Sequence, residues 1–473
     1  MARTDHDTEQ RLRDEAARHG QSHLFRFWDM LTSARRQFLL EQIAEIDFEE
    51  IGRLAAAARE RESSGDVDRP FEPAPFVALE EGPIAARAAD AFREGERALR
   101  AGRLAVLVVA GGQGTRLGFP GPKGTFPIGP VSGKSLYQLH AEKILATERR
   151  YGRPIRWYVL TSEATHAESR DFFQANRFFG LAPDRVRFIQ QGMLPAIDRQ
   201  GRILLESADR VFRSPNGHGG VVDALRRSGA LEEMGRDNAD LLFYFQVDNP
   251  LVRIADPNFI GHHLSGGAEM SIKIVRKFRP EEKVGVLVTR DGRHRIVEYS
   301  ELSTTESEER ISGGSLRFQA GNIAIHLFSR SFLERIAGER DALPLHRATK
   351  KIPHVDEHGV PVEPSEPNGF KFERFVFDCL PLARGVVAIE VARADEFSPV
   401  KNATGSESPE TSKADLMALH RRWLAAAGAR LPESANRLRV EVSPLFALDA
   451  DELREKLRAN EIMVADGLHF ESR

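Results

Sequence analysis

The chain reads Leu104-Ala-Val-Leu-Val-Val-Ala-Gly-Gly-Gln-Gly-Thr-Arg-Leu-Gly118, and Pro122-Lys-Gly124 follows shortly after. Residues 104–110 form an unbroken apolar run, which is typical of a parallel strand buried on both faces. The glycines after it have no Cβ atom, so the backbone can turn tightly and bring its N–H groups close to a phosphate chain. Arg116 and Lys123 add two positive charges to the same turn. The stretch therefore predicts a nucleoside triphosphate site.

Two commoner glycine motifs fit this chain less well. A Walker loop needs four residues between its glycines, whereas Gly129-Pro-Val-Ser-Gly133-Lys-Ser135 has three and follows no strand directly. A dinucleotide fingerprint needs glycine at position 117, which is Leu117, so NAD binding is the weaker alternative. A turn without any ligand would explain the glycines but would leave the two cations of the turn without a role.

Composition limits the class of protein. A chain of 473 residues exceeds what one hydrophobic core usually organises, so we expect a large domain with smaller additions. The net charge of −3 argues against a general surface for polyanions, and the single cysteine, Cys379, excludes an internal disulfide and a cysteine zinc site. No apolar stretch reaches the ~18 residues of a membrane span. We expect a cytoplasmic protein, monomeric or a weak homo-oligomer, that binds neither nucleic acid nor membrane.

Residues 1–84 are predicted to be a helical N-terminal appendage with a linker. Residues 7–62 contain few helix breakers, and Leu24, Phe27, Trp28 and Leu31 follow a helical spacing. Residues 63–83 contain four prolines and several acids, which indicates a surface linker. A helix over residues 85–99 is expected to lead into the strand at residue 104.

Residues 85–400 are predicted to be the core, because strand and helix patterns alternate there. Strands are expected at Arg156–Thr161, Val186–Gln190 and 241–247. Further strands are expected over 270–300, with 284–288 and 296–299 among them, and over 315–328. Helices are expected to begin at Ser162 and at the capping box Ser135-Leu-Tyr-Gln138. This order predicts an α/β fold with a doubly wound mixed sheet, whose last strands build a sugar-side subdomain.

Residues 401–473 are predicted to be a small C-terminal domain. Residues 402–413 are polar and are expected to form a loop, and a helix through Leu424 follows. A terminal module is expected near residues 438–453.

Ligands of doubly wound sheets bind beyond the carboxyl ends of the strands, where Gly111, Gln191 and Asp248 are predicted to lie. Asp248 follows an apolar strand, and a single carboxylate there suits a Mg²⁺ ion that also holds phosphate oxygens. A turn aspartate without a ligand is the alternative, since aspartate is common in turns.

The glycine turn, with the Pro-Lys-Gly that follows it, resembles that of the sugar-1-phosphate uridylyltransferases of the eukaryotic kind, above all the UDP-N-acetylhexosamine pyrophosphorylases. The resemblance covers nearly the whole chain. Its further segments are Gly20-Gln-Ser-His-Leu-Phe-Arg-Phe-Trp28, Gln190-Gln-Gly-Met-Leu-Pro195, Pro215-Asn-Gly-His-Gly-Gly220, Val247-Asp-Asn-Pro-Leu-Val-Arg-Ile-Ala-Asp-Pro257, Val297-Glu-Tyr-Ser-Glu301, Gly321-Asn-Ile-Ala324, Pro367-Asn-Gly-Phe-Lys371, Phe375-Val-Phe-Asp378 and Asp395-Glu-Phe-Ser-Pro-Val-Lys-Asn402.

The resemblance implies a nucleotide-diphospho-sugar transferase fold with a glycosyltransferase-A-like Rossmann core. It also implies the reaction, in which UTP and a sugar 1-phosphate give a UDP-sugar and pyrophosphate with Mg²⁺ as cofactor. The catalytic cations that it implies are Arg116, Lys123 and Lys401. A non-catalytic UDP-sugar-binding regulator is a rival that would not need these cations together with Asp248.

The resemblance also implies the binding residues. Those for UTP are Ala110, Gly111, Gly112, Gly114, Thr115, Lys123, Gln191, Gly217 and Asp248, and Asp248 is also the metal ligand. Those for the sugar phosphate are His218, Glu298, Tyr299, Asn322 and Lys371.

One residue departs from the pattern of the N-acetylhexosamine enzymes. They usually carry asparagine where this chain has His218, and glucose-type relatives carry histidine there. N-acetylglucosamine 1-phosphate is the favoured sugar substrate, and glucose 1-phosphate or a broad sugar range is the alternative.

Overall fold

The computed structural model describes residues 2–60, 71–79, 83–339, 342–432, 438–457 and 463–471. The chain divides into two compact units. The smaller unit contains Met1–Arg69, Gln191–Val221 and Leu343–Val376, and the larger contains Pro70–Gln190, Val222–Ala342 and Phe377–Arg473. The domain boundaries predicted after residues 84 and 400 stay a prediction.

Fourteen α-helices lie in the described residues. They are α1 Ala2–Arg18, α2 Ser33–Ala44, α3 Phe48–Glu60, α4 Pro83–Arg100, α5 Leu136–Tyr151, α6 Glu163–Ala175, α7 Val221–Arg227, α8 Ala230–Arg236, α9 Pro257–Ser265, α10 Thr304–Glu308, α11 Arg330–Gly338, α12 Arg393–Glu396, α13 Pro409–Ala426 and α14 Ala450–Leu457. Short 3₁₀ turns occupy Ser22–Phe25, Trp28–Met30, Thr115–Leu117, Lys123–Thr125, Arg177–Gly180, Pro183–Arg185, His218–Gly220 and Val376–Leu382.

Twenty-one strands lie in the same residues. They are β1 Glu72–Pro73, β2 Leu104–Val109, β3 Arg156–Thr161, β4 Val186–Gln190, β5 Met193–Pro195, β6 Ile197–Asp198, β7 Leu205–Ser207, β8 Arg210–Val211, β9 Arg213–Pro215, β10 Leu241–Gln246, β11 Met270–Arg276, β12 Val286–Arg290, β13 Arg293–Val297, β14 Ala320–Ser329, β15 His346–Lys350, β16 His354–Val355, β17 Pro361–Val362, β18 Gly369–Glu373, β19 Val386–Glu390, β20 Val440–Val442 and β21 Leu468–Phe470.

The larger unit is built on one mixed sheet of ten strands. Its main order is β1-β12-β14-β10-β2-β3-β4, with β11 and β19 continuing from β14 and with β13 paired to β12. Strands β10, β2, β3 and β4 are parallel, whereas β14 runs antiparallel to β10. The prediction of an α/β fold with a doubly wound mixed sheet is confirmed, and the predicted bounds of β3 and β4 match.

Helices α4 and α9 cross at very close range on this sheet. A Cβ atom on Gly95 would lie 1.8 Å from the carbonyl oxygen of Pro257, and one on Gly261 would lie 1.6 Å from that of Ala91. Only glycine permits such an approach of two helix backbones. Helix α4 begins at Pro83 rather than within the predicted span 85–99, because proline is well tolerated in the first turn of a helix.

The smaller unit packs helices α1–α3 on short strands. A three-stranded sheet has the order β15-β18-β6, and β5 pairs β9, β7 pairs β8 and β16 pairs β17. Its core includes Leu39, Ile43, Ile197, Phe370 and Phe372.

The N-terminal helices are confirmed, but the expectation for one stretch is wrong. Leu24, Phe27, Trp28 and Leu31 lie in two 3₁₀ turns and the residues beside them, not in an α-helix. All four are buried in the core of the smaller unit. Their spacing therefore predicts correctly that the four side chains are buried, but it predicts an α-helix where the backbone forms 3₁₀ turns.

Helix starts differ from the predictions in two places. Ser135 caps α5 by accepting the N–H of Gln138 at 3.1 Å, but the Gln138 amide donates to Glu142 instead of closing the predicted capping box. Helix α13 begins at Pro409, so part of the loop predicted over 402–413 is helical. A capping box at Ser408 and proline in the first turn favour that earlier start.

The turn at residues 129–134, which precedes α5, is hydrogen-bonded to the C-terminal part of the larger unit. The Glu441 carboxylate, on β20, accepts the N–H groups of Val131 and Ser132 at 2.8 Å each. Lys134 is buried and donates to Glu471 at 2.6 Å. No helix within the described residues is long and apolar enough to cross a membrane.

Three buried histidines make the larger unit sensitive to acid. Burial lowers the pKa of His140 to about 3 and the pKa values of His263 and His420 to about 4. The folded protein therefore keeps these rings neutral at a pH where the unfolded chain, with a histidine pKa of about 6.5, binds protons.

We expect the free energy of unfolding to fall as the pH is lowered from about 6.5 to about 5. Each histidine with a lowered pKa contributes up to about 1.4 kcal/mol per pH unit, and that stability is lost as the pH falls. Urea unfolding at several pH values measures the slope. The variant His420→Gln should have a shallower slope than the unsubstituted protein, and an equal slope would contradict the assignment.

Candidate functional site

The glycine turn after β2 folds back on itself. Gly114 donates its N–H to the carbonyl of Gly121 at 2.9 Å, and Lys123 donates its N–H to the carbonyl of Gly112 at 3.0 Å. A Cβ atom on Gly114 would lie 2.8 Å from the Phe119 ring, so glycine is needed there. Ala110 is buried at the end of the strand, Gly111 is half-buried, and Gly112, Thr115 and Arg116 are exposed.

Lys123 and Asp248 meet at the carboxyl ends of β2 and β10. The Lys123 Nζ lies 3.2 Å from Asp248 Oδ2, and the two side chains are 17% and 12% exposed. Lys123 stands between Pro122 and Gly124, and a Cβ atom on Gly124 would lie 2.3 Å from the Tyr137 ring. The structure thus joins a cation and an anion that are 125 residues apart in sequence.

Asp248 suits a Mg²⁺ ion as one ligand among several. Mg²⁺ in nucleotide enzymes is commonly bound by one or two carboxylates together with substrate phosphates and water. In the described part of the chain no group of three or more His, Cys, Asp or Glu side chains could hold a metal by itself. A single carboxylate at a strand end fits an ion that arrives with a nucleotide.

Two further predicted cations have different surroundings. Arg116 is exposed on the 3₁₀ turn Thr115–Leu117. Lys401 Nζ lies 3.1 Å from Glu407 Oε1, and both side chains are more than a third exposed. The N–H of the preceding residue, Val400, donates to the carbonyl of Asp248 at 2.9 Å. The backbone beside Lys401 is therefore fixed to the backbone of Asp248.

Glu298 and Asn322 both lie next to Gly285. The Asn322 N–H donates to the Gly285 carbonyl at 2.8 Å, and a Cβ atom on Gly285 would lie 3.2 Å from Glu298 Oε1. The Asn322 side chain accepts the N–H of Ala324 at 2.9 Å, and Ala324 has a positive φ of 55°. Tyr299 follows and is 43% exposed. Three predicted sugar residues are thus grouped in the larger unit.

The smaller unit joins Gln191 and Gly217. The Gln191 amide donates from Nε2 to the Gly217 carbonyl at 2.6 Å, and Gln191 is only 9% exposed. Gly217 has a φ of 82°, and a Cβ atom on it would lie 2.3 Å from the carbonyl oxygen of Arg374. The same absence of side chains is needed at Gly219 and Gly220, where a Cβ atom would lie within 2.6 Å of its neighbours.

His218 is oriented by the backbone of the same unit. Its Nδ1 accepts the N–H of Val376 at 3.1 Å, and its ring lies 5.4 Å from the Phe375 ring. The neutral ring therefore carries its proton on Nε2, because Nδ1 is the acceptor. This arrangement suits a hydrogen-bond donor and not a general base.

Lys371 lies on β18, and its ammonium stands 4.7 Å from the centre of the Phe212 ring. Burial lowers the pKa of Lys371 from its ordinary value. A cation over an aromatic ring with part of its water removed attracts anions more strongly than a fully solvated lysine does.

A cavity of about 820 Å³ lies elsewhere in the larger unit. Its lining includes Lys143, Pro250, Val252, Trp423 and Asp449, and it includes none of the predicted site residues. Lys143 donates to the carbonyls of Pro250 and Val252, and burial lowers its pKa to about 7.

Two residues beside the predicted groups were not expected from the sequence. Asn249 follows Asp248 directly, and its side chain is buried and hydrogen-bonded. Glu407 pairs with Lys401. Asn249 stands inside the segment that carries the resemblance, which was a usable signal, whereas nothing in the spacing around Glu407 pointed to it.

The chain is similar to proteins of one family. The sequence profile described as UTP–glucose-1-phosphate uridylyltransferase matches residues 84–456. The UDP-N-acetylhexosamine pyrophosphorylase-like protein 1 of Homo sapiens is 39% identical over 96% of this chain and 96% of its own length. The UDP-N-acetylglucosamine diphosphorylase 2 of Arabidopsis thaliana is 38% identical over 94% and 90%. The uridine diphosphate N-acetylglucosamine pyrophosphorylase of Trypanosoma brucei, solved with an inhibitor, matches with a TM-score of 0.84, 28% identity and coverage of 99% and 98%.

We expect Gly217→Ala to lower the stability of the smaller unit. The added Cβ atom would meet the Arg374 carbonyl oxygen at 2.3 Å in a backbone conformation that favours glycine, so a loss of about 1–3 kcal/mol is expected. The matched control is Gly52→Ala on α3, where a Cβ atom has no described neighbour within 4 Å. Thermal unfolding of both variants makes the comparison, and equal midpoints would contradict the steric argument.

Proposed function

This chain belongs to the family of UTP–glucose-1-phosphate uridylyltransferases, and we propose that it converts UTP and N-acetylglucosamine 1-phosphate into UDP-N-acetylglucosamine and pyrophosphate. It is a nucleotidyltransferase. The observation that carries the proposal is the glycine turn with Lys123 beside Asp248, because this arrangement places a glycine-rich backbone, a cation and a carboxylate at one edge of the sheet.

The chemistry requires charge stabilisation more than proton transfer. The attacking phosphate oxygen of the sugar 1-phosphate is already an anion near neutral pH, so no general base is needed. Two polyanions must approach each other, and negative charge must be stabilised around the α-phosphorus. Fixed cations do this best when they are held in place before the substrates arrive.

Each cation has a proposed task. Lys123 and Arg116 hold the β- and γ-phosphates beside the N–H groups of the glycine turn. Lys401 holds the α-phosphate, and Lys371 holds the phosphate of the sugar substrate. Asp248 is the proposed ligand of Mg²⁺, which when bound neutralises phosphate charge. Mg²⁺ as the specific ion is our inference from this single carboxylate.

The uracil is proposed to be read by Gln191 and Gly217. Because the Gln191 Nε2 already donates to the Gly217 carbonyl, its Oε1 is the atom left to accept the uracil N3–H. A carbonyl acceptor aimed at N3 favours uracil over cytosine, whose N3 is itself an acceptor.

The sugar is proposed to be bound by Glu298, Tyr299 and Asn322, with His218 as a determinant of the 2-substituent. The relatives named above support the N-acetyl sugar. His218 favours wider use, including glucose 1-phosphate, because its Nε2–H is a donor with a geometry that asparagine does not have. The cytoplasmic location and the monomeric or weakly associated state stay predictions.

We expect Lys123→Ala and Lys401→Ala each to lower kcat/KM for UDP-sugar formation by roughly 10²-fold or more, as expected for the loss of one fixed electrostatic donor. Lys456→Ala is the matched control, because Lys456 is an exposed lysine of α14 with a carboxylate partner of its own. Pyrophosphate release from UTP is the measurement. Wild-type rates in both lysine variants would refute the phosphate site.

EDTA should abolish the activity, Mg²⁺ should restore it, and Asp248→Asn should stay inactive at any Mg²⁺ concentration.

We expect the enzyme to use both N-acetylglucosamine 1-phosphate and glucose 1-phosphate when the two compete in one reaction. His218→Asn should shift the product ratio toward the N-acetyl sugar by roughly 1–3 kcal/mol, the usual range for a modest change in a pocket. The ratio of the two UDP-sugars, measured by chromatography, gives the preference. If the ratio does not change, specificity is set by other residues.

A further inference from the structure

Two separate segments of the larger unit carry the proposed Mg²⁺ ligand and the lysine proposed to hold the α-phosphate. Residues 247–256 carry Asp248, and residues 396–401 carry Lys401. Asn249 connects them, since its Nδ2 donates to the Glu396 carbonyl at 2.7 Å and its Oδ1 accepts the N–H of Ser398 at 3.1 Å. We call these two hydrogen bonds the Asn249 bridge. Asn249 is 4% exposed.

A buried ion cluster connects the same two segments a second time. Lys273 on β11 is fully buried, and its Nζ lies 2.7 Å from Asp256 Oδ2 and 2.6 Å from Glu396 Oε2. Burial, which would raise the pKa of Asp256, is outweighed by the charges of Lys273 and Arg253, so the pKa of Asp256 lies below its ordinary value. No step of the proposed reaction uses these three groups.

Stability alone gives little reason for such a cluster. Replacing buried ion pairs by apolar side chains is often neutral or stabilising, because taking the charges out of water costs as much as their attraction returns. A fully hydrogen-bonded network does fix one geometry, however. Here the network fixes the geometry of the two segments that contain Asp248 and Lys401.

We propose that Asn249 is a positioning residue that sets the position of the Lys401 ammonium relative to the Asp248 carboxylate. Lys273 holds the same two segments together through Asp256 and Glu396. This proposal rests on the proposed function, in which Lys401 holds the α-phosphate and Asp248 holds the Mg²⁺ ion that neutralises phosphate charge. The bridge acts through backbone atoms, because Val400 donates its N–H to the Asp248 carbonyl at 2.9 Å. Ser398 is held in turn by Asp415 and Ser412 of α13.

The test variant is Asn249→Ala, with Ser271→Ala as control, because Ser271 forms a buried hydrogen bond to His263 and stands on the same strand as Lys273. We expect the kcat of Asn249→Ala to fall by roughly 10- to 100-fold, since a displacement of about 1 Å can cost 10²-fold in rate. The KM values for UTP and for the sugar phosphate should change by less than about threefold, because ground-state binding uses many other contacts.

A double-variant cycle separates positioning from general damage. If Asn249 acts through Lys401, then adding Asn249→Ala to Lys401→Ala should lower kcat by less than about threefold. A full multiplicative loss, or a loss equal to that of Ser271→Ala, would overturn the proposal. Should Asn249→Ala fail to fold, Asn249→Asp gives the same readouts, because it keeps the acceptor for Ser398 and loses the donor to Glu396.

Hydrogen exchange tests the bridge without any substrate. In the full chain, the amides of Ser398 and Val400 should exchange roughly tenfold faster in Asn249→Ala than in the unsubstituted protein. Unchanged exchange would overturn the bridge itself. If exchange is faster in Asn249→Ala but the unsubstituted protein makes no UDP-sugar, the proposed function is refuted and the bridge is not. The two failures are therefore distinguishable.

Discussion

Strand β2 is hydrogen-bonded along both edges in parallel register, to β10 on one side and to β3 on the other. Its residues are buried on both faces up to Leu107 and Val108, so the strand cannot slide without moving its whole apolar set. In the pairing of β10 with β2, Gln246 lies opposite Val109. Two residues beyond that pair the chain reaches Asp248 on one strand and Gly111 on the other. The sheet register therefore places the Asp248 carboxylate and the glycine turn side by side. Lys123 contacts both, because its ammonium pairs with Asp248 and its N–H donates to the Gly112 carbonyl.

The elements with a strong local signal were predictable from the sequence. Strands β3 and β4 were predicted with their observed bounds, because each is a short segment rich in β-branched and aromatic residues between clear breaks. The 3₁₀ turns around Trp28 were not, since apolar spacing reports which side chains are buried but not which backbone hydrogen bond forms. The start of α13 could have been found from Ser408 and Pro409, which are ordinary signals of a helix N-terminus.

The candidate site was predictable as a set of residue types and not as a set of contacts. The apolar strand and the glycines pointed to a phosphate-binding turn, and the structure places Lys123 beside Asp248 there. The pairing of Lys401 with Glu407 and the burial of Lys273 between Asp256 and Glu396 were not predictable, because such pairs depend on tertiary geometry. The local sequence around a residue does not show how close it comes to residues that are far away in the chain. In the 217–220 segment of the smaller unit, three glycines fit against neighbouring atoms, and His218 is the one position where a side chain can vary.

The contacts of the C-terminal residues bear on the order in which the protein can mature during its synthesis. Lys134 follows the glycine turn in the chain, yet its partner Glu471 and the strand β21 are made more than three hundred residues later. The turn at 129–134 also waits for Glu441, some three hundred residues later. Because chains grow at roughly 5–20 residues per second, this turn remains without Glu441 and Glu471 for tens of seconds. During that interval the N–H groups of Val131 and Ser132 lack their carboxylate acceptor, so the turn before α5 reaches its final hydrogen bonding only after residues 441–471 have been made.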